Sequence, residues 1–132
     1  MKRLVTILSI AMLLFATACE EDTTKGEIKL VTAEEMQTLL EQKDVQLVDV
    51  RTTEEFEEGH IVNAQNIDFN SPTFDQDIGK LDKTKPVIMY CKGGGRSAKC
   101  AKKLLDAGFI KIYDLEGGIT QWKFKGFGIE IN

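Results

Sequence analysis

Val87-Ile88-Met89-Tyr90-Cys91-Lys92-Gly93-Gly94-Gly95-Arg96-Ser97 is an apolar run, a glycine triplet and the opening of a helical pattern. A short apolar run bounded by turn residues is the pattern of a buried strand. A strand, a tight glycine loop and a helix N-terminus together build an anion site from backbone N–H groups. Cys91 ends the strand and stands at the floor of that site, with Lys92 and Arg96 at its rim. Such surroundings favour the thiolate over the thiol. The three glycines are expected to supply positive φ and to keep side chains out of the bowl. The segment therefore reads as a nucleophilic cysteine, Cys91, in a cradle of Lys92, Gly93, Gly94, Gly95, Arg96 and Ser97. The plainer alternative is a βα turn with a cysteine packed as a small core residue. Three consecutive glycines and two cations around one thiol argue against it.

Outward from this stretch, strand and helix patterns alternate. Ile28–Val31 is a short strand, and Thr32 with Glu35 forms a capping box for a helix carrying Met36, Leu39 and Leu40. Val45–Val50 is a second strand, followed by a short acidic helix, Glu54–Glu58, capped by Thr53 and stopped by Gly59. Asn66-Ile67 is a third strand. Ser71 at N-cap and Pro72 at N1 start a helical turn holding Phe74 and Ile78. Val87–Tyr90 is the fourth strand. Ser97 is expected to start the next helix, with Ala98, Ala101, Leu104 and Leu105 inward and Gly108 at its close. Ile110–Leu115 is the fifth strand, and Gly117-Gly118 turns into a last helix around Trp122. This alternation implies an α/β fold, a parallel five-stranded sheet with helices on both faces. Ligands of such sheets sit at the carboxyl ends of strands, where both Asp49 and Cys91 fall.

Several stretches resemble the rhodanese-like (thiosulfate sulfurtransferase-like) family. Cys91, its loop, Arg96 and Ser97 are similar to the active-site loop of that family. Asp49-Val50-Arg51, Glu54-Glu55-Phe56, Gly59-His60-Ile61, Asn63-Ala64-Gln65-Asn66-Ile67 and Leu115-Glu116-Gly117-Gly118-Ile119 with Trp122 match further family motifs in family order. Asn63 and Asp68 depart from the usual glycine and proline, away from the loop. The resemblance implies a rhodanese-like domain over residues 28–132 in which Cys91 carries a persulfide. Its substrates are a small sulfur donor, thiosulfate or a persulfide, and a thiol or cyanide acceptor. It implies no metal or organic cofactor and a monomer. A persulfide-carrying or sulfur-sensing binding module for a protein partner is an alternative of another class. Cysteine-dependent phosphatases share the cysteine, nest and arginine but have one more residue between cysteine and arginine. Here only Lys92 to Gly95 intervene. The tighter loop suits a terminal sulfur better than a tetrahedral phosphoryl group.

The other polar residues divide by the same reasoning. Arg96 either binds the incoming anion or bridges to a carboxylate, and its place in the loop favours the first. Lys92 points to the mouth or simply into solvent. Asp49 is expected to accept loop N–H groups and set loop shape, and Arg51 to pair with Glu55 or Glu58. His60 is read as a packing residue, and Cys100 as a packed thiol rather than a resolving one.

The chain has 132 residues, enough for one domain, and a formal charge of −4 that does not favour nucleic acid. Met1-Lys2-Arg3, the apolar run Leu4–Phe15 and Ala16-Thr17-Ala18 before Cys19 resemble a bacterial lipoprotein signal. The expectation is a signal peptide over 1–18, lipidation of Cys19 and a flexible polar tether over 19–27. The apolar run is shorter than the roughly 20 residues a spanning helix needs. The resemblance places the mature protein in the bacterial cell envelope, lipid-anchored and facing the periplasm or cell surface. One histidine and no CxxC pair leave no typical zinc set.

Overall fold

The computed structural model of the protein describes residues 25–131. The signal-like segment, Cys19 and most of the polar tether lie outside the described residues. In chain order the elements are β1 (Glu27–Val31), α1 (Ala33–Leu39), β2 (Gln46–Asp49), α2 (Thr53–Glu57), β3 (His60–Ile61) and β4 (Gln65–Asn66). Then come α3 (Phe74–Ile78), β5 (Val87–Tyr90), α4 (Gly95–Asp106), β6 (Lys111–Leu115), α5 (Gly118–Phe124) and β7 (Ile129–Glu130).

Five strands form one parallel sheet in the order β1-β6-β5-β2-β4. β5 lies at its centre with all four side chains buried, because helices cover both faces. On one face Val87 and Met89 pack with Phe74 and Ile78 of α3 and with Cys100, Ala101 and Leu104 of α4. On the other, Ile88 and Tyr90 pack with Met36 of α1 and with Ile119 and Trp122 of α5. This is the parallel five-stranded α/β sheet with helices on both faces that the sequence implies.

Local details differ from the sequence reading. α4 begins at Gly95 with Gly94 as its N-cap, ahead of Ser97. Ser97 is buried and turned toward Cys91, so its hydroxyl serves the site rather than the helix end. The inward face of α4 is Ser97, Cys100, Ala101 and Leu104; Ala98 is exposed, off the helical stripe. Thr52, not Thr53, caps α2 and shares a capping box with Glu55. Ser71 accepts the Thr73 N–H at 3.2 Å, so Ser71 and Pro72 form a turn ahead of α3. β3 and β7 add a two-stranded antiparallel ladder absent from the sequence reading. Two residues ahead of the strand as read, Gly26 and Glu27, also make contacts with the rest of the fold. Gly26 packs against the Phe109 carbonyl, and the Glu27 N–H donates to Ile110 O at 2.9 Å.

Candidate active site

Cys91 leaves β5 at its carboxyl end and is buried. Its Sγ accepts the Gly94 N–H at 3.0 Å, and Ser97 Oγ lies 3.4 Å away. Burial alone pushes this thiol up. The Ser97 hydroxyl and the backbone N–H groups of Ser97, Gly94 and Arg96 outweigh burial and hold the thiol below its ordinary value. The arrangement can favour a thiolate at Cys91 without a neighbouring base.

Only Gly94 of the triplet needs to be glycine for its backbone, with φ +112°. Gly93 and Gly95 keep φ outside the left-handed region, and a Cβ on either meets nothing within 4 Å. The expectation that the whole triplet supplies positive φ thus narrows to one residue, while the space above the loop stays open.

A second loop fixes the first from behind. The N–H groups of Ile119 and Thr120 donate to Cys91 O at 2.9 Å and Lys92 O at 3.2 Å. Gly118, at φ +57°, sits so close that a Cβ there runs into the Cys91 and Lys92 carbonyls. The sequence reading matched Gly117-Gly118 to a motif without seeing this role. Nothing in the spacing of a glycine pair reveals which backbone it touches.

Arg96 is not a free anion ligand. It makes a bidentate ion pair with Glu55, Nη1–Oε1 2.6 Å and Nη2–Oε2 2.9 Å. The Arg96 hydrogen bonds hold Glu55 down at about 2. This fork clamps the start of α4 to α2. The sequence had Arg51 pairing with Glu55 or Glu58 and left Arg96 without an assigned carboxylate.

Arg51 pairs instead with Asp49, both at the end of β2 and both buried. Its guanidinium reaches Asp49 at 2.6 Å and the Gly59 carbonyl at 2.8 Å. Asp49 Oδ1 also accepts the Arg51 backbone N–H at 2.9 Å. Burial explains the choice, since a desolvated guanidinium needs its carboxylate and its remaining donors satisfied together. Arg51 also lies over the Tyr90 ring at 5.8 Å, whose hydroxyl accepts the Ile61 N–H at 3.0 Å.

Lys92 is exposed and, with Lys123 and Thr120, lines a cleft of about 240 Å³ that also touches Glu55 and Glu58. His60 is buried, stacked on Phe56 at 3.8 Å and hydrogen-bonded to Phe56 O and Glu130. Cys100 is fully buried, and burial pushes its thiol up to about 12. Asp114 is a buried carboxylate under α4 that spacing did not single out. Among the described residues no cluster of metal-ligating side chains forms.

The model of the rhodanese-like domain family matches residues 32–125. The chain belongs to the rhodanese-like domain family. It is 36% identical over 85 residues to thiosulfate sulfurtransferase GlpE of Coxiella burnetii, covering 64% of this chain and 78% of that protein. It is also 33% identical to the tRNA uridine(34) hydroxylase of an aster yellows phytoplasma, over 76% of this chain but only 34% of that larger protein. The crystal structure of a rhodanese-like domain protein from Staphylococcus aureus superposes with TM-score 0.66 at 39% identity, covering 79% of this chain and 98% of that one.

Proposed function

We propose that this protein is a sulfurtransferase that moves a sulfane sulfur through a Cys91 persulfide. The observation that carries the reading is the convergence of Gly94 N–H and Ser97 Oγ on a buried Sγ held below its ordinary pKa. The Cys91 thiolate attacks the outer sulfur of thiosulfate, the S–S bond of the donor breaks, and sulfite leaves with the bonding pair. Cys91 then carries a persulfide anion, and the loop N–H groups stabilise its charge. A thiol or cyanide acceptor attacks the outer sulfur, and the Cys91 thiolate leaves, which gives ping-pong kinetics. Lys92 and Lys123 at the cleft draw in anionic donors.

Loop size supports sulfur over phosphorus. Four residues separate Cys91 from Arg96, and Arg96 is spent on Glu55 rather than aimed over the bowl. The test is steady-state turnover of thiosulfate and cyanide to thiocyanate by the full chain. Cys91→Ser should abolish turnover and Cys100→Ser should leave most of it. Full activity in Cys91→Ser, or hydrolysis of an aryl phosphate faster than sulfur transfer, would overturn the assignment.

The same proposal includes location. Lys2, Arg3, the short apolar run and Ala18-Cys19 support cleavage before Cys19 and its acylation. The domain would then sit in the bacterial envelope on a short polar tether.

A further inference from the structure

The cleft of about 240 Å³ between α2 and α5 borders the cysteine loop at Lys92 and at Glu55, the partner of Arg96. Part of its wall is Arg51, whose side chain is only 5% exposed. Arg51 Nε donates to Asp49 at 3.0 Å, and Nη2 donates to Asp49 at 2.6 Å and to Gly59 O at 2.8 Å. Among the described residues Nη1 donates to no protein atom. It is not sealed in either, since Asp114 Oδ1 is the one enclosed side-chain polar atom there without a partner. A largely buried guanidinium with a donor left over, lining a cleft, calls for an acceptor in that cleft.

Lys92 and Lys123 line the same cleft, exposed and in no ion pair among the described residues. Three cations with free donors suit a carboxylate or another oxyanion. One carboxylate modifies that picture. Glu55 is engaged by Arg96, but Glu58, exposed at the cleft, is in no ion pair among the described residues. A wholly anionic ligand is repelled by Glu58. A ligand with an ammonium beside its anionic group complements both signs of charge.

We propose that this cleft is the acceptor subsite and takes a small thiol of the amino-acid type, its carboxylate on Arg51, Lys92 and Lys123 and its ammonium on Glu58. In a ping-pong cycle, donor and acceptor occupy the mouth in turn. The acceptor thiol releases its proton to water, and its thiolate attacks the outer sulfur of the Cys91 persulfide. A new S–S bond forms on the acceptor, the bond to Cys91 Sγ breaks, and the bonding pair returns to Cys91 as the thiolate. The product is the persulfide of the acceptor. Holding the acceptor by two opposite charges orients its thiol as well as attracting it.

The inference rests on the Cys91 persulfide, so one arm of its test uses sulfur transfer and the other does not. In the first arm, the full chain is loaded with thiosulfate, freed of donor and discharged with different thiols. Sulfur loss from Cys91 is followed by mass spectrometry and expressed per thiolate. L-cysteine should discharge faster than mercaptopropionate, which lacks the ammonium, and mercaptopropionate faster than mercaptoethanol, which lacks both charges. Lys123→Ala should lower the cysteine-to-mercaptoethanol rate ratio about threefold to fivefold, the scale of an exposed charge pair. Glu58→Gln should lower the cysteine-to-mercaptopropionate ratio by about the same factor. Both changes are at exposed positions, whereas Arg51→Ala strands the buried Asp49 and threatens the fold. Arg51 is therefore read in the second arm, through its guanidinium NMR resonances in the unsubstituted full chain. L-serine, the hydroxyl isostere of cysteine, should shift them saturably, and ethylene glycol should not. Equal rates for the three thiols, ratios unmoved in both variants, or Arg51 resonances unmoved by serine each overturn the proposal. Failure of the sulfurtransferase reading is a separate result: thiosulfate loads no sulfur on Cys91 while serine still shifts Arg51.

Discussion

At Glu55 and Arg96, one ion pair links the loop helix to α2, and its behaviour with pH has a definite sign. The folded value of Glu55 is depressed to about 2 from 4.5, chiefly by the Arg96 hydrogen bonds. The pair therefore contributes stability that is present above the unfolded value and is lost as pH falls through the folded one. Denaturant midpoints should fall between pH 4.5 and about 2, and Glu55→Gln should flatten that slope. An unchanged slope in Glu55→Gln would show that other carboxylates carry it. Removing one partner of the buried Asp49–Arg51 pair should cost more, about 3–5 kcal/mol for Asp49→Ala by denaturation. The strand end at Cys91 and the glycine turn after it were legible because they are adjacent in sequence. The partners of Arg51 and Arg96 were not, because ion-pair choice follows burial and the fold, and Glu55 lies 41 residues from Arg96.

Among the elements, the two loops that meet behind Cys91 matter most. The N–H groups of Ile119 and Thr120 hold the Cys91 and Lys92 carbonyls, and Gly118 allows the close approach. Gly118→Ala should push the cysteine loop forward, at about 1–3 kcal/mol in stability and with a larger loss in kcat than in KM. Wild-type kinetics in a folded Gly118→Ala would show that the loops tolerate separation. Four of the five sheet strands could be read from apolar runs and turn residues, and the short β4 was read one residue late, at Asn66-Ile67. The β3–β7 ladder could not, since each strand has two residues and they pair across the length of the domain. The helix starts slipped by one to three residues, at Thr52, Thr73 and Gly94, and the Ser71 and Ser97 hydroxyls are engaged in a turn and at Cys91 instead.

For the whole molecule, the parallel order β1-β6-β5-β2-β4 brings Cys91, Asp49 and the Gly117-Gly118 turn to one end of the sheet, as open α/β folds do. The alternating pattern made that architecture readable, and no spacing argument could have shown which helices share a face. With Cys19 acylated, the mature protein should partition with membranes and be released by detergent but not by salt. Several acyl chains anchor far more firmly than one, each buried CH₂ adding about 0.8 kcal/mol. Protein recovered wholly soluble with an unmodified Cys19 would contradict the anchor and leave the sulfur chemistry untouched.

The central claim is that Cys91 carries sulfur. Intact-mass and peptide mass spectrometry of the full chain after thiosulfate treatment tests it most directly. The account predicts the gain of one sulfur atom on the Cys91 peptide, removed by cyanide with release of an equal amount of thiocyanate. No gain, or a gain found on the Cys100 peptide instead of the Cys91 peptide, would contradict it.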